Sequence, residues 1–149
     1  MRAVVQRVNN CSVMVNAETV SSIQKGLLVY LGVSKEDQEK DIRYTAEKIV
    51  NLRIFPDSEG TMNKSLIDIQ GEILIVSQFT LYGDTRKGRR PSYNRSAPAD
   101  KGAQFYQHFL QIIKEKGFSP AQGVFQAHMD VSYTNDGPVT IIVDSEKIF

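Results

Sequence analysis

The chain has 149 residues, 41% of them apolar and 23% charged, with 18 Lys and Arg against 17 Asp and Glu. A single domain over residues 1–149 buries about 70% of its unfolded surface, and the apolar fraction with a net charge near zero excludes intrinsic disorder. The longest apolar runs, such as Leu27–Leu31, are strand-sized, the first residues lack a signal-peptide core, and lone Cys11 fits a reducing compartment, so we expect a soluble, cytoplasmic protein.

In chain order, Ala3–Val8 and Val13–Val15 read as the arms of a short hairpin turning at Asn9-Asn10. Thr19–Ile23 is a weaker strand, and Gly26–Val33 is a nearly continuous apolar run, as in a buried strand. Ile42, Thr45, Ala46, Ile49 and Val50 then recur at helical spacing. They predict a helix over about 36–51, with Ser34 and Asp37 as its capping pair. Arg53-Ile54-Phe55 is a short strand before the turn residues 56–60, and Ile73–Val76 is a buried strand. A second helix spans about 99–116, started by Pro98 and ended by Gly117. The tail alternates over Val124–Tyr133, turns at Asn135-Asp136-Gly137-Pro138 and returns as Val139–Val143. Seven or eight strands and two main helices, joined mostly by hairpins, imply an α+β fold. We expect a curled, barrel-like mixed or antiparallel sheet with the helices packed on it.

The charge is unevenly spread. Arg86, Lys87, Arg89, Arg90 and Arg95 stand between Thr85 and Ala99 with no acid among them, which leaves the rest of the chain at a net −4. A basic island on an acidic body suits a local grip on phosphate or carboxylate better than general coating of nucleic acid. A solvated loop is the plainer reading. His108 and His128 stand in no metal-ligand spacing, and no phosphate loop, dinucleotide fingerprint or nucleophile elbow is present, so no metal or cofactor is expected. Cys11 has no basic neighbour to activate it as a thiol.

Two segments rise above this background. Ser77-Gln78-Phe79-Thr80 leaves a buried strand among hydroxyls and amides, where backbone N–H groups become free. Its hydroxyls either satisfy strand-end backbone groups or face a ligand, and Thr80 as a nucleophile lacks an adjacent base. Asn135-Asp136-Gly137-Pro138 is read as a hairpin turn or as a rigid element whose carbonyls probe the shape of a small ligand.

With these blocks the chain resembles the D-aminoacyl-tRNA deacylases over its whole length. The matching stretches are Met1–Val8, Gly26-Leu27-Leu28-Val29, Ser77–Asp84, Lys87-Gly88-Arg89-Arg90-Pro91-Ser92-Tyr93 and Asn135–Thr140. Cys11, Asn16 and Tyr93, where the family more often has Ala, Gly and Phe, touch no motif on which the resemblance relies. The resemblance implies a cofactor-free homodimeric hydrolase. Its substrate would be the ester between a D-amino acid and the terminal adenosine of tRNA.

By the same resemblance, the N–H groups around Phe79 and Thr80 form an oxyanion hole, while Ser77 and Gln78 shape the adenosine pocket. Gly137-Pro138 is similar to the family's Gly-cis-Pro element, which enters the partner subunit's pocket, and Arg7 is similar to the residue that orients it. A related branch that removes L-alanine carries Pro-Gln in place of Ser77-Gln78, which favours the D-specific branch. A wall of carbonyls beside Cα would reject L-residues without reading the side chain, so mischarged glycyl-tRNA would be cleaved as well. Arg86, Lys87, Arg89 and Arg90 would hold acceptor-stem phosphates. A non-catalytic RNA-binding module and an esterase with Thr80 as nucleophile are the competing readings.

Overall fold

The computed structural model describes residues 1–148; Phe149, the last residue of the expected domain, lies outside the described residues. The first strand, β1 (Arg2–Val15), pairs antiparallel through its C-terminal half with β2 (Glu18–Ile23) and through its N-terminal half with β3 (Gly26–Gly32). Then come α1 (Glu39–Asn51), the small ribbon β4 (Phe55–Pro56) and β5 (Met62–Lys64), and the single-turn α2 (Leu66–Ile69). Strand β6 (Glu72–Ser77) pairs parallel with β3 and leads into a 3₁₀ turn over Phe79–Tyr82. Helix α3 (Ala99–Glu115) is followed by β7 (Ala121–Gln122), parallel to β6. The last strand, β8 (Asp130–Asp144), runs antiparallel along the other edge of β1. The sheet is mixed and curls until β2 comes near β6 and β7, a nearly closed barrel carrying α1 and α3 on one face. This is the expected α+β architecture.

Alternation explains the layering. Leu27, Val29 and Leu31 of β3, with Ile73 and Ile75 of β6, face the helices, where Ile42 and Ile49 of α1 meet Phe109 and Ile113 of α3. The intervening Leu28, Leu74 and Val76 form a second core on the opposite face, with Val8, Cys11 and Val13 of β1. Gly117, in the left-handed region at φ 90°, ends α3 as expected. No helix is long and apolar enough to cross a membrane among the described residues.

Both expected terminal hairpins are corrected. Asn9-Asn10 is not a turn: β1 runs through it, and Val8 pairs with Asn135 while Asn10 pairs with Thr134. Two steps on β1 therefore match one on β8, a bulge that carries one extra residue. That residue reverses the side-chain parity, which is why Val8, Cys11 and Val13 share one core. Asn135–Pro138 is likewise no hairpin tip. Val8 pairs with Asn135 and Gln6 with Thr140, so β8 pushes out three surplus residues and then resumes its pairing with β1. Asn and Gly favour turn conformations locally, but long-range pairing with one partner strand overrides them.

Smaller corrections follow the same logic. The tail strand begins at Asp130, because Val124–Met129 forms a turn with Gln126 at φ 62°. The strand expected at 53–55 shrinks to Phe55–Pro56. Helix α1 begins after Gln38, whose N–H donates to the Asp41 carboxylate at 2.9 Å. Ser34 does not cap it, because Asp37 instead accepts from Ser34 N–H at 2.7 Å and from the Met1 ammonium.

Phe109 is fully buried between α1, α3 and the sheet. Phe109→Ala should cost about 3–5 kcal/mol, measured as a lower denaturation midpoint at unchanged slope; a loss below 1 kcal/mol would mean the helix layer is not the main core.

Candidate active site

The end of β6 is where the sheet stops satisfying its own backbone. Gln78 N–H still donates to Leu31 O at 2.8 Å, and then the chain tightens into the 3₁₀ turn. The first N–H groups of any helical turn have no partner inside it. No protein acceptor meets the N–H of Phe79 or Thr80 among the described residues. The turn is fixed from behind: Gly83 N–H donates to Thr80 O at 2.9 Å, and Ser96 Oγ donates to Phe79 O at 3.0 Å.

The first residue of this turn, Phe79, borders a cleft of about 560 Å³. Ser77, Gln78 and Phe79 line one side, and Tyr106, Phe125 and Met129 supply an apolar opposite side. Tyr106 donates its hydroxyl to Ile75 O at 2.8 Å, and its ring lies 6.0 Å from that of Phe125. Burial pushes the Tyr106 phenol well above its usual range, so it stays a protonated donor. Gly102 gives Phe125 room on α3, since a Cβ there would sit 3.3 Å from the Phe125 ring.

The hydroxyls carry no activating base. Thr80 Oγ1 accepts from the Gln78 side-chain amide, and the Ser77 hydroxyl has no protein partner among the described residues. His128 stands at the cleft rim with its side chain 95% exposed, 3.9 Å from Asp130. An imidazole so free in solvent has no fixed position from which to take a proton. Among the described residues no three His, Cys, Asp or Glu side chains gather where they could hold a metal ion.

The second segment is a brace built around an arginine. Arg7 continues the helix-facing stripe of Ala3 and Val5, and its guanidinium is buried. Nη1 donates to Ile54 O at 2.6 Å, and Nε lies 2.9 Å from the Asp136 carboxylate, an ion pair rather than an aligned hydrogen bond. Asn135 closes the neck of the protrusion, its amide donating to Arg7 O at 3.0 Å and Val139 O at 3.1 Å. The Gly137-Pro138 bond is cis, and Gly137 has φ 120°. A Cβ at Gly137 would lie 2.9 Å from Val139 Cγ2 and 3.0 Å from Arg7 Nη2, and φ 120° is itself a conformation that favours glycine.

Within one chain the two segments are apart. Arg7 pairs with Leu27, whereas Ser77 pairs with Leu31, which pairs with Ala3. The protrusion is therefore three strands from Ser77, about 14 Å along the sheet, and four residues further on.

The basic loop has its own order. Asp84 and Ser92 exchange backbone hydrogen bonds of 2.8 and 3.0 Å, pinning the loop at its neck. Arg86 folds back on Asp84 through contacts of 2.9 and 2.6 Å, holding that carboxyl down at about 2, and Arg95 pairs with Glu146 at 2.6 Å. Lys87, Arg89 and Arg90 are exposed, with no ion pair among the described residues.

Residues 4–144 match the family model described as D-Tyr-tRNA(Tyr) deacylase. The chain belongs to this family. It is 58% identical to a D-aminoacyl-tRNA deacylase of Thermosipho africanus and 54% identical to one of Thermotoga petrophila, each alignment covering 100% of both chains. Among solved structures it is similar to the c-Myc DNA Unwinding Element Binding Protein, with a TM-score of 0.92 at 42% identity over 97% of this chain and 98% of that one. A probable eukaryotic D-amino acid tRNA deacylase shares the fold, with a TM-score of 0.78 at 21% identity over 95% and 97% of the two chains.

The sequence reading missed the cleft's apolar side. Tyr106 was legible only as part of a helix's core face, and Phe125 and Met129 only as apolar positions of a tail expected to alternate as a strand over Val124–Tyr133, where the structure has a turn before Asp130. Cys11 stays out of the chemistry: it is buried, and burial pushes its thiol up to about 11. Iodoacetamide at pH 8 should leave Cys11 unmodified in the native protein and alkylate it after denaturation, read by mass spectrometry. Rapid native labelling would mean that the second core opens readily.

Proposed function

We propose that this cleft receives the aminoacylated terminal adenosine of tRNA and hydrolyses its D-aminoacyl ester, each chain serving as half of a homodimer. Family membership carries the reaction class, a carboxylic ester hydrolase acting on D-aminoacyl-tRNA. The observation that supports the mechanism is the pair of N–H groups of Phe79 and Thr80, unengaged among the described residues, at the start of the turn where Phe79 lines the cleft. Water adds to the ester carbonyl carbon, and these two groups bind the oxyanion as it forms. Collapse of the intermediate expels the ribose 3′ oxygen, which takes a proton and leaves the free D-amino acid. One such donor is worth roughly 10²–10³ in rate, and an aminoacyl ester is already activated, so no histidine is required. Ser77 and Gln78 shape the adenosine pocket, whose apolar side of Phe125 and Met129 suits the base. The neighbouring ribose 2′-hydroxyl positions the water; the Thr80 hydroxyl, which accepts from the Gln78 amide, has no base beside it to activate it.

Chirality comes from the second copy. The Gly137-Pro138 protrusion, braced by Arg7 and Asn135, enters the partner's cleft and sets a wall of carbonyls against one side of Cα. Two observations support this. The protrusion cannot reach the cleft of its own chain, and β8 leaves one edge unpaired along its length among the described residues, with Tyr133 and Ile142 exposed. Proteins seldom leave so long an edge uncovered. Glycine has no side chain to meet the wall, so glycyl-tRNA is also cleaved. The site then acts as a chiral proofreader in the cytoplasm.

One experiment tests this reading: single-turnover rates with D-Tyr-, L-Tyr- and Gly-tRNA, repeated with Thr80→Ala and with a 2′-deoxy terminal adenosine. Cleavage of D-Tyr- and Gly-tRNA but not L-Tyr-tRNA is expected. Thr80→Ala should keep substantial activity, while the 2′-deoxy ester reacts far more slowly. Loss with Thr80→Ala and tolerance of the 2′-deoxy ester would sink the mechanism in favour of an acyl-enzyme.

Arg86, Lys87, Arg89 and Arg90 are proposed to hold acceptor-stem phosphates, with Arg86 tied in part to the loop neck. Replacing Lys87, Arg89 and Arg90 by Ala should weaken tRNA binding and lower the slope of log affinity against log salt by roughly two to three, with D-selectivity kept. Arg86→Ala should change the slope less. An unchanged slope in the triple variant would place the tRNA elsewhere.

A further inference from the structure

We infer that Phe79 and Tyr93 form a stacking platform for the unpaired nucleotides that precede the esterified adenosine, and that Tyr93 is the residue that takes a base. The inference rests on the deacylase reading above and adds to it the path by which the single-stranded end reaches the cleft.

The platform lies between two features already described. Phe79 lines the cleft, and the residue is 58% exposed. Tyr93 packs on it from outside, edge to face, with centroids 5.1 Å apart and an interplanar angle of 67°, and is itself 39% exposed. Edge-to-face packing covers at most one face of either ring. Both residues are held by one strut: Ser96 donates its N–H to Tyr93 O at 2.9 Å and its hydroxyl to Phe79 O at 3.0 Å. Gly83 leaves space for the ring, since a Cβ there would lie 3.2 Å from Tyr93 Cε1. One residue before Tyr93, Ser92 closes the neck of the loop that carries Lys87, Arg89 and Arg90.

The order is therefore cleft, Phe79, Tyr93, cationic loop. Single-stranded nucleic acid is bound by this combination, aromatic faces for successive bases beside cations that track the backbone. A free aminoacyl ester has no group to place on Tyr93. Two exposed rings held by a shared hydroxyl strut, outside either core, also lack the burial that a purely structural pair would gain.

The test compares two D-Tyr esters, one on adenosine and one on the trinucleotide CCA, with wild type, Tyr93→Ala, Tyr93→Leu and Tyr93→Phe. Wild type should show a lower KM for the trinucleotide ester. Tyr93→Ala should remove about tenfold of that advantage, and Tyr93→Phe should retain it. Tyr93→Leu keeps apolar packing on Phe79 without a flat ring and should lose the advantage as Ala does; melting temperatures report folding separately. Retention of the advantage in the Ala or Leu variant overturns the inference, as does a wild type that cleaves both esters with equal KM. If wild type cleaves neither, the deacylase reading itself falls and this inference with it.

Discussion

The pairing of β1 with β8 is the constraint on which the rest of this structure depends. Strand β1 is the common partner of β2, β3 and β8, so any displacement along it moves both cores at once. Its register with β8 shifts twice within a few residues. The shift at Asn9 adds a residue to β1 and turns its apolar positions from the helix side to the opposite face. The shift at Asp136–Val139 adds three residues to β8 and projects Gly137-Pro138 from the sheet. A protrusion in mid-strand loses ladder hydrogen bonds, and here Arg7 and Asn135 replace them with contacts to Ile54, Asp136 and Val139. A guanidinium in an apolar stripe is costly unless its donors are met. The protrusion and the arginine therefore require each other.

The cleft works from the opposite principle, a set of groups left without partners. Any tight turn leaves the N–H groups of its first residues without a partner inside it. The 3₁₀ turn leaves those of Phe79 and Thr80 free while its carbonyls are bound by Gly83 and Ser96. In the proposed reaction, donors fixed in this way would need little reorganisation when charge appears in front of them, and would favour the transition state over the ground-state ester. The apolar side of Tyr106, Phe125 and Met129 limits competing water and strengthens each remaining dipole.

Much of this was legible in the sequence. The stripes of α1 and α3, and the apolar runs of β3 and β6, are local patterns, and the structure follows them within a few residues. Asn9-Asn10 and Asn135–Pro138 misled because their turn chemistry is genuine but serves bulges, and only knowledge of the partner strand distinguishes a bulge from a hairpin. Arg7 had a readable signal in the alternation Ala3, Val5, Arg7, which places a charge where the pattern demands an apolar residue. Phe125 and Met129 had a misleading one, because they sit in the alternation over Val124–Tyr133, which predicts a strand where the chain turns before Asp130. The basic loop was visible as charge, yet its division into paired Arg86 and Arg95, and Lys87, Arg89 and Arg90 without an ion pair among the described residues, depends on Asp84 and Glu146 being folded beside it.

The places where local rules are broken are also the places proposed to act. Gly-Pro in mid-strand, a buried guanidinium, unengaged N–H groups and an uncovered edge are each unfavourable in a lone chain. Two of them, the open edge of β8 and the outward Gly137-Pro138 protrusion, lie on the same strand. A second copy that covers the edge would bring its own protrusion along with it. In the proposed dimer, the association that removes the edge defect would therefore also deliver the missing wall of the cleft. Chiral selection would then be coupled to assembly, and an isolated chain would keep its oxyanion donors while lacking the surface that tells D from L.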